Sequence, residues 1–314
     1  MPKTGLKPNW KLVLLTAVFL ISLLITAAPR LNLPFHVPSW PEIFKEAGLR
    51  SETPVSGLPF NIHFINVGQG DCIVAKTEGG CVLIDAGDTG NADDIIRYLR
   101  NIGVDTIDYA VVTHTDTDHI GSMPEVLDAF KVINVILPPI TKENVPTTKV
   151  FENLMNAVAR TKATVIKASP GQKFGFGEAG LELLGPYTVS RESNNNSVVA
   201  GITFGNNTFL LMGDAEYEEE TDLLEHGFIR ECDVLKVAHH GSNSSTSQKL
   251  LEAARPEIAV ISVGKDNFYN HPDLIILNRL KEADIEVYRT DLCGNIVIGS
   301  DGKDLTVYYE NSEV

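Results

Sequence analysis

Three apolar runs in this chain stop abruptly on carboxylates or histidines, and this constrains the fold more than any other feature. The run over 107–112 leads into His114-Thr115-Asp116-Thr117-Asp118-His119. The run over 208–212 leads into Gly213-Asp214, and the run over 234–238 into His239-His240-Gly241-Ser242. Two His and two Asp within six residues at the end of a buried strand form a cradle for a divalent metal. Imidazole and carboxylate are the borderline and hard donors that Zn²⁺, Mn²⁺ or Fe²⁺ accept. Without a cation, Asp116 and Asp118 would only repel each other. A Gly-Asp turn or a His pair alone is a weak signal. Three strand ends together point to one site built from loops far apart in the chain. Gly121, after the last His, is expected to let the backbone turn sharply away.

The rest of the pattern supplies the frame. Strands are expected over 60–67, 72–76 and 81–85, the last two paired across Glu78-Gly79-Gly80. Asn91 is placed to cap a helix to about Asn101, with Ile95, Ile96, Leu99 and Ile102 on one face. Further strands are expected over 107–113, 133–137, 164–167, 198–204, 208–212, 234–238, 258–263, 286–289, 295–298 and 305–309. Helices are expected over 125–130, 149–162 and 216–226, and from about 246 and 272. The acidic charges of 216–226 read as a solvated face. Early hairpins followed by strand–helix alternation, with the pattern repeated in each half, predict two mixed sheets covered outside by helices.

Residues 12–28 carry no charge and follow Lys3, Lys7 and Lys11. Seventeen residues is at the lower limit for a membrane span and slightly long for a signal-peptide apolar region. The basic flank favours an inside amino terminus, which puts everything after Arg30 outside the cytoplasm. Residues 1–29 are therefore read as a membrane anchor, the alternative being a signal removed near Thr26-Ala27-Ala28. Six prolines between 29 and 59 predict an extended spacer over 30–59, with a short helix near 41–49. The remainder, 60–314, is one catalytic domain.

The formal charge is −15, and it is unevenly placed. Residues 1–60 hold six basic and three acidic groups, so the remaining 254 residues carry −18. Such a field argues against a generic basic nucleic-acid-binding domain, although a local metal site overcomes it at close quarters. Cys72, Cys81, Cys232 and Cys293 contain no C-x-x-C pair, which argues against a zinc knuckle. Four cysteines are also too few for a disulfide scaffold.

His114-Thr115-Asp116-Thr117-Asp118-His119 resembles the H-x-[HD]-x-D-H signature of the metallo-β-lactamase superfamily. The segments 64–71 (Phe-Ile-Asn-Val-Gly-Gln-Gly-Asp), 83–87 (Leu-Ile-Asp-Ala-Gly), 239–242 and 267–272 (Asn-Phe-Tyr-Asn-His-Pro) narrow the resemblance. They are similar to the extracellular hydrolase domain of ComEC-type competence proteins, over about 60–309. The resemblance implies an α/β fold, a four-layer αββα sandwich with the metal site at one edge. It implies one or two divalent ions, Zn²⁺ or Mn²⁺. His114 and Asp116 would hold the first ion, Asp118 and His119 the second, and Asp214 would bridge them. His239 or His240 would complete the coordination of the second ion, with His240 favoured and His239 lining the substrate pocket. Asp85 matches a supporting aspartate. Two departures make the first site oxygen-rich, and shift it toward manganese or a loosely held ion. Asp116 replaces a histidine, and Asn194-Asn195-Asn196-Ser197 stands where another histidine is usual.

The implied chemistry is hydrolysis by metal-bound hydroxide, with Asp118 sharing a proton with the attacking water. His271 or His239 would donate to a phosphate oxygen or to the leaving group. Ser242 and Asn243 would offer neutral donors to the substrate. The expected function is an extracytoplasmic phosphodiesterase or nuclease acting on a small phosphodiester or nucleic acid. It would meet the membrane through the N-terminal helix, and no protein partner is expected. The alternatives are ester, lactone or β-lactam hydrolysis at the same site, or a non-catalytic metal-binding surface domain.

Overall fold

The computed structural model describes residues 10–27, 37 and 57–311. The chain divides after Glu52 into two units, each described here by itself. In the first, the apolar run forms an α-helix, Trp10–Ala27, of 18 residues. At 1.5 Å per residue it is about 27 Å long, short of a hydrocarbon core of about 30 Å. Among the described residues no helix is long and apolar enough to cross a membrane. The expected membrane-spanning anchor is thus corrected to a shorter apolar helix, with Leu15, Val18, Phe19, Ile21 and Leu23 exposed. The short helix near 41–49 and nearly all of the 30–59 spacer lie outside the described residues.

The second unit contains two sheets. The first sheet holds eight strands: β1 (Phe60–Phe64), β2 (Ile73–Thr77), β3 (Cys81–Ile84), β4 (Thr106–Val111), β5 (Lys131–Leu137), β6 (Thr164–Lys167), β14 (Ile296–Ser300) and β15 (Leu305–Tyr309), in the order β15-β14-β1-β2-β3-β4-β5-β6. The second holds β7 (Lys173–Phe176), β8 (Ala179–Leu183), β9 (Ala200–Phe204), β10 (Asn207–Leu211), β11 (Val234–Lys236), β12 (Ile258–Ile261) and β13 (Glu286–Arg289), in the order β13-β12-β11-β10-β9-β8-β7. Each sheet is antiparallel where hairpins run and parallel where helices cross over. The expected hairpin over 78–80 pairs Lys76 with Cys81.

Side-chain alternation sorts the core into three layers. Phe60, Ile62 and Phe64 point between the sheets, where they meet Phe209, Leu211 and Val234. Val74, Leu83 and Ala110 face the other way, under the helices Ala92–Asn101, Met123–Ala129 and Lys149–Thr161. Leu210, Leu235 and Ala259 meet Leu223, Leu250 and Ile276 from the helices Tyr217–Glu225, Gln248–Ala254 and Leu274–Glu282. Strands buried on both faces read as near-continuous apolar runs, so β4, β11 and β12 were legible in the sequence. The result is the expected helix–sheet–sheet–helix sandwich. β7 and β8 were not expected. Gly175, Gly177 and Gly180 interrupt their apolar alternation, and weaken the strand signal that side chains provide. All four cysteines are free and buried.

Candidate metal centre

The first-half ligands are set by Asp85, which follows β3. Its carboxylate accepts from the Thr113 amide (2.8 Å), the Thr113 hydroxyl (2.5 Å) and His119 Nδ1 (2.7 Å). One buried side chain thereby fixes the start of the 113–121 loop and the ring orientation of its last histidine. With Nδ1 donating to Asp85, the lone pair of His119 Nε2 faces the site. The short helix Thr117–Ile120 carries Asp118 and His119. The expectation for Gly121 is corrected. Its backbone is ordinary right-handed helix (φ −57°), and the reason for glycine is a close approach. A Cβ there would lie 2.2 Å from the Thr89 amide. Gly70 is required in the same way, since its Cβ would meet the Asp118 carbonyl oxygen at 2.2 Å.

The second-half ligands come from two strand ends. Asp214 follows β10, with its amide donating to Ser197 Oγ (3.0 Å). After β11, His239 and His240 both adopt left-handed backbone (φ 47° and 53°). Two non-glycine residues in that region carry strain, and the turn separates their side chains. His240 is buried and its Nδ1 donates to the Ser262 carbonyl (2.8 Å). His239 stays at the rim, 23% exposed.

These groups converge on one oxygen. Asp214 Oδ2 lies 3.3 Å from His119 Nε2, 3.4 Å from His240 Nε2, and 3.9 Å from the Nε2 atoms of both His114 and His239. Asp118 Oδ2 lies 3.2 Å from His240 Nε2. Of three sets among the described residues close enough to share an ion, two lie at this point, His114–His119–Asp214 and Asp118–His119–His240; in the third, Asp71–Asp85–His119, the carboxylates are already engaged by Lys236 and Thr113. His119 therefore stands between both positions. Asp116 enters neither set. It is 47% exposed, with Oδ2 3.8 Å from His114 Nε2. His114 Nε2, His119 Nε2, His240 Nε2 and Asp214 Oδ1 are buried and have no hydrogen-bond partner. Orphaned buried polar atoms are costly. Three unpaired imidazole nitrogens gathered around one carboxylate suit a divalent cation.

The charges support that fit. Burial opposes a proton on His240, but Asp214, Asp118 and Asp71 outweigh it and lift its pKa to about 9. His119 is raised likewise, the carboxylates of Asp214 and Asp85 overcoming its burial. Asp118 and Asp214 are held below the carboxylate range against their burial, chiefly by His240 and His119. His114 is lowered by burial and by His119. The cluster thus behaves as an anionic pocket that attracts positive charge.

Other expected residues take supporting places. Asn195 is buried and spends its side-chain oxygen on the amides of Glu216 (3.1 Å) and Glu219 (3.4 Å). Ser242 and Asn243, expected as free donors, have internal partners. Ser242 Oγ is 3.0 Å from Ser244 Oγ, and Asn243 Nδ2 donates to Asp273 Oδ2 (3.2 Å). Ser244 donates to Glu216 (2.7 Å), whose Oε1 lies 3.2 Å from His239 Nδ1. Glu216 is thus the missed residue that aims His239 Nε2 at the cluster. His271 lies with its ring 5.7 Å from that of His239. Burial first, and then His239 and His240, push its pKa down.

Sequence reasoning also missed the floor of the site. Lys236 and Asp71 are both fully buried and paired at 2.6 Å. Lys236 Nζ also donates to the Gly213 carbonyl (3.3 Å), and Asp71 Oδ1 lies 3.6 Å from His240 Nδ1. The signal was available: a lysine inside an apolar strand, opposite an aspartate closing a Gly-Gln-Gly loop. The acidic helix is a correction too. Glu219 and Glu220 are buried rather than solvated. Glu219 accepts from the Ser197 amide (3.1 Å), and Glu220 from the amides of Thr246 and Ser247 (2.9 Å for the latter).

The four-layer sandwich and this cluster define a class. Residues 65–265 match the family model described as the metallo-beta-lactamase superfamily, and the chain belongs to that superfamily. It is 31% identical over 254 residues to ComE operon protein 3 of Bacillus subtilis, covering 75% of this chain and 32% of the relative. It is 29% identical over 287 residues to competence protein ComA of Neisseria gonorrhoeae, covering 89% of this chain and 38% of the relative. The chain therefore spans about a third of each of these relatives. The metallo-beta-lactamase fold protein YhfI from Bacillus subtilis superposes with a TM-score of 0.52 at 13% identity, over 76% of this chain and 99% of that one.

Proposed function

We propose that this protein is a metal-dependent phosphodiesterase of nuclease type, acting outside the cytoplasm. The observation that carries the reading is the convergence of buried, unpartnered nitrogens from His114, His119 and His240 on Asp214. Those residues and Asp118 would hold the ion or ions, with Asp116 beside His114 at the open side. A bound divalent ion supplies a Lewis acid that activates water near neutral pH and neutralises charge on a phosphoryl oxygen. The chain's own groups do the rest. Asp118, kept ionised, accepts a proton from the attacking water as its oxygen bonds to phosphorus and the ester P–O bond breaks. His239, aimed by Glu216, delivers a proton to the leaving oxygen. His271, neutral at pH 7, offers an N–H to a phosphate oxygen.

The likeness to competence proteins favours phosphodiester over acyl substrates. Placement outside the cytoplasm rests on the basic flank and the apolar helix at the amino terminus. A fusion, after residue 60, of a reporter active only when exported tests that placement; an intact fusion without reporter activity refutes it. For the chemistry, the full chain with Mn²⁺ or Zn²⁺ is assayed on single-stranded DNA, duplex DNA, bis-p-nitrophenyl phosphate and a panel of esters and lactones. Turnover of a phosphodiester that chelation abolishes is the expected result. Acyl turnover with every phosphodiester intact overturns the reading.

A further inference from the structure

Beside the metal cluster lies a second, smaller feature that the proposed chemistry does not use. A cavity of about 180 Å³ is lined by His114, Asp116, Thr115, Ser193 and the exposed Arg191, among others. Arg191 is the only lysine or arginine among the residues lining it. Near the cluster Lys236 is tied to Asp71, Glu216 to His239 and Asp85 to His119, while the cavity's own carboxylate, Asp116, is 47% exposed and lies 3.8 Å from His114 Nε2. Arg191 makes no hydrogen bond or ion pair among the described residues, so its planar five-donor fork is free. Thr115 and Ser193 hydroxyls meet at 3.4 Å on the same wall. His114, whose buried Nε2 is unpartnered and whose side chain is 1% exposed, lines the same cavity.

We infer that this cavity is a subsite for a second, non-scissile phosphate, with Arg191 as its specificity-determining residue. The inference rests on the phosphodiesterase reading and names the substrate class within it. A guanidinium matches a phosphate by two parallel charge-assisted hydrogen bonds, with hydroxyls as neutral supplements. The volume is below the roughly 300 Å³ at which drug-sized ligand pockets begin, so it admits one phosphorylated end and not a folded chain. The charge of the domain points the same way. A body carrying −18 repels a long polyanion along its whole length, whereas a short substrate engages only the local cation. The substrate class is therefore a short phosphodiester bearing an adjacent terminal phosphate.

The test uses the full chain loaded with Mn²⁺ and two substrates, thymidine dinucleotide with and without a 5′-phosphate. Wild type is expected to prefer the phosphorylated form in kcat/KM. Arg191→Ala should lower that preference about tenfold or more, the scale of losing charged hydrogen bonds, and Arg191→Lys should recover part of it. Metal content of both variants, measured on the purified proteins, should match wild type. A parallel titration with thymidine 5′-phosphate and thymidine reads binding without turnover. There Arg191→Ala should weaken the nucleotide about tenfold and leave the nucleoside little affected. Equal losses on both dinucleotides, or a preference that survives Arg191→Ala, overturn the subsite. Arg191-dependent nucleotide binding with no hydrolysis of any phosphodiester leaves the subsite standing and refutes the phosphodiesterase reading instead.

Discussion

The two halves of the sandwich hold their metal-facing loops with the same device, a buried carboxylate that accepts from loop amides, but they use it differently. In the first half Asp85 touches both backbone and ligand: it binds the Thr113 amide and hydroxyl and also His119 Nδ1. In the second half Glu219 and Glu220 accept from the amides of Ser197, Thr246 and Ser247 and make no hydrogen bond to a metal-facing side chain among the described residues. The first arrangement couples loop shape to ligand orientation through a single side chain. The second separates them, and leaves His240 to be oriented by the Ser262 carbonyl. Damage to the first support should therefore register in metal affinity, and damage to the second in folding stability.

The joint between the halves sets the scale for this comparison. Lys236 ends β11 in the second half, and Asp71 lies in the first-half loop between β1 and β2. Lys236→Met leaves Asp71 buried and unpaired, and should cost about 3–5 kcal/mol in urea unfolding. Adding Asp71→Leu should recover most of that loss, because a buried pair is replaced by apolar groups of similar size. A single-variant loss below about 1 kcal/mol would mean that the halves are held by packing alone. Next comes Glu220→Ala, which orphans two buried amides at about 1–3 kcal/mol each. We expect destabilisation of about 3 kcal/mol with metal stoichiometry retained by the folded fraction. Loss of metal at full stability would break the proposed division of labour.

The difference also explains what could be read in advance. Asp85 stands at the end of an apolar strand, next to Ala86-Gly87, so its place at the sheet edge was legible before its partners were. The convergence of the donor residues at 114–119, 214 and 239–240 was legible for the same reason: a run of Val, Ile and Leu ending in a donor residue shows where a buried strand leaves the sheet. Glu219 and Glu220 were not, because a cluster of acids on a short helix has the same composition whether it faces water or loop amides. Their burial depends on Thr246 and Ser247 arriving from about 26 residues away. Lys236 was visible as a lysine inside an apolar strand, but its partner was not. Its counter-charge lies across the sheet interface, where sequence periodicity carries no information.

Asp85→Asn tests the first half at a smaller scale. The amide keeps one acceptor for Thr113 but cannot take up the His119 proton in the same geometry. Metal affinity should fall about 10–100-fold, the usual cost of losing a partner behind a ligand. A stability change of about 1 kcal/mol would accompany it. Isothermal titration with Mn²⁺ or Zn²⁺ reads the first and urea unfolding the second. If stability falls heavily while affinity holds, Asp85 resembles Glu220 and the contrast between the halves disappears.

The smallest effect comes from a histidine outside the site. His63 is buried beneath the first-half helices, with Nδ1 2.9 Å from the Tyr98 hydroxyl. Burial first, and then the charge of Lys76, lower its pKa to about 3, whereas His240, equally buried but ringed by carboxylates, rises to about 9. The same side chain under the same burial thus shifts in opposite directions, and the sign is decided by which charges face it. For His63 the unfolded chain, titrating near 6.5, binds a proton that the fold excludes. Its contribution to stability is complete above that value and is lost as pH falls toward 3. Between pH 7 and pH 5.5 the loss should be about 1 kcal/mol. His63→Gln keeps an acceptor for Tyr98 and removes the titration, so its unfolding midpoint should fall less over that interval than the wild-type midpoint. An equal fall in both proteins would place the acid sensitivity elsewhere and would overturn the claim that neighbouring carboxylates, rather than depth of burial, distinguish His119 and His240 from His63.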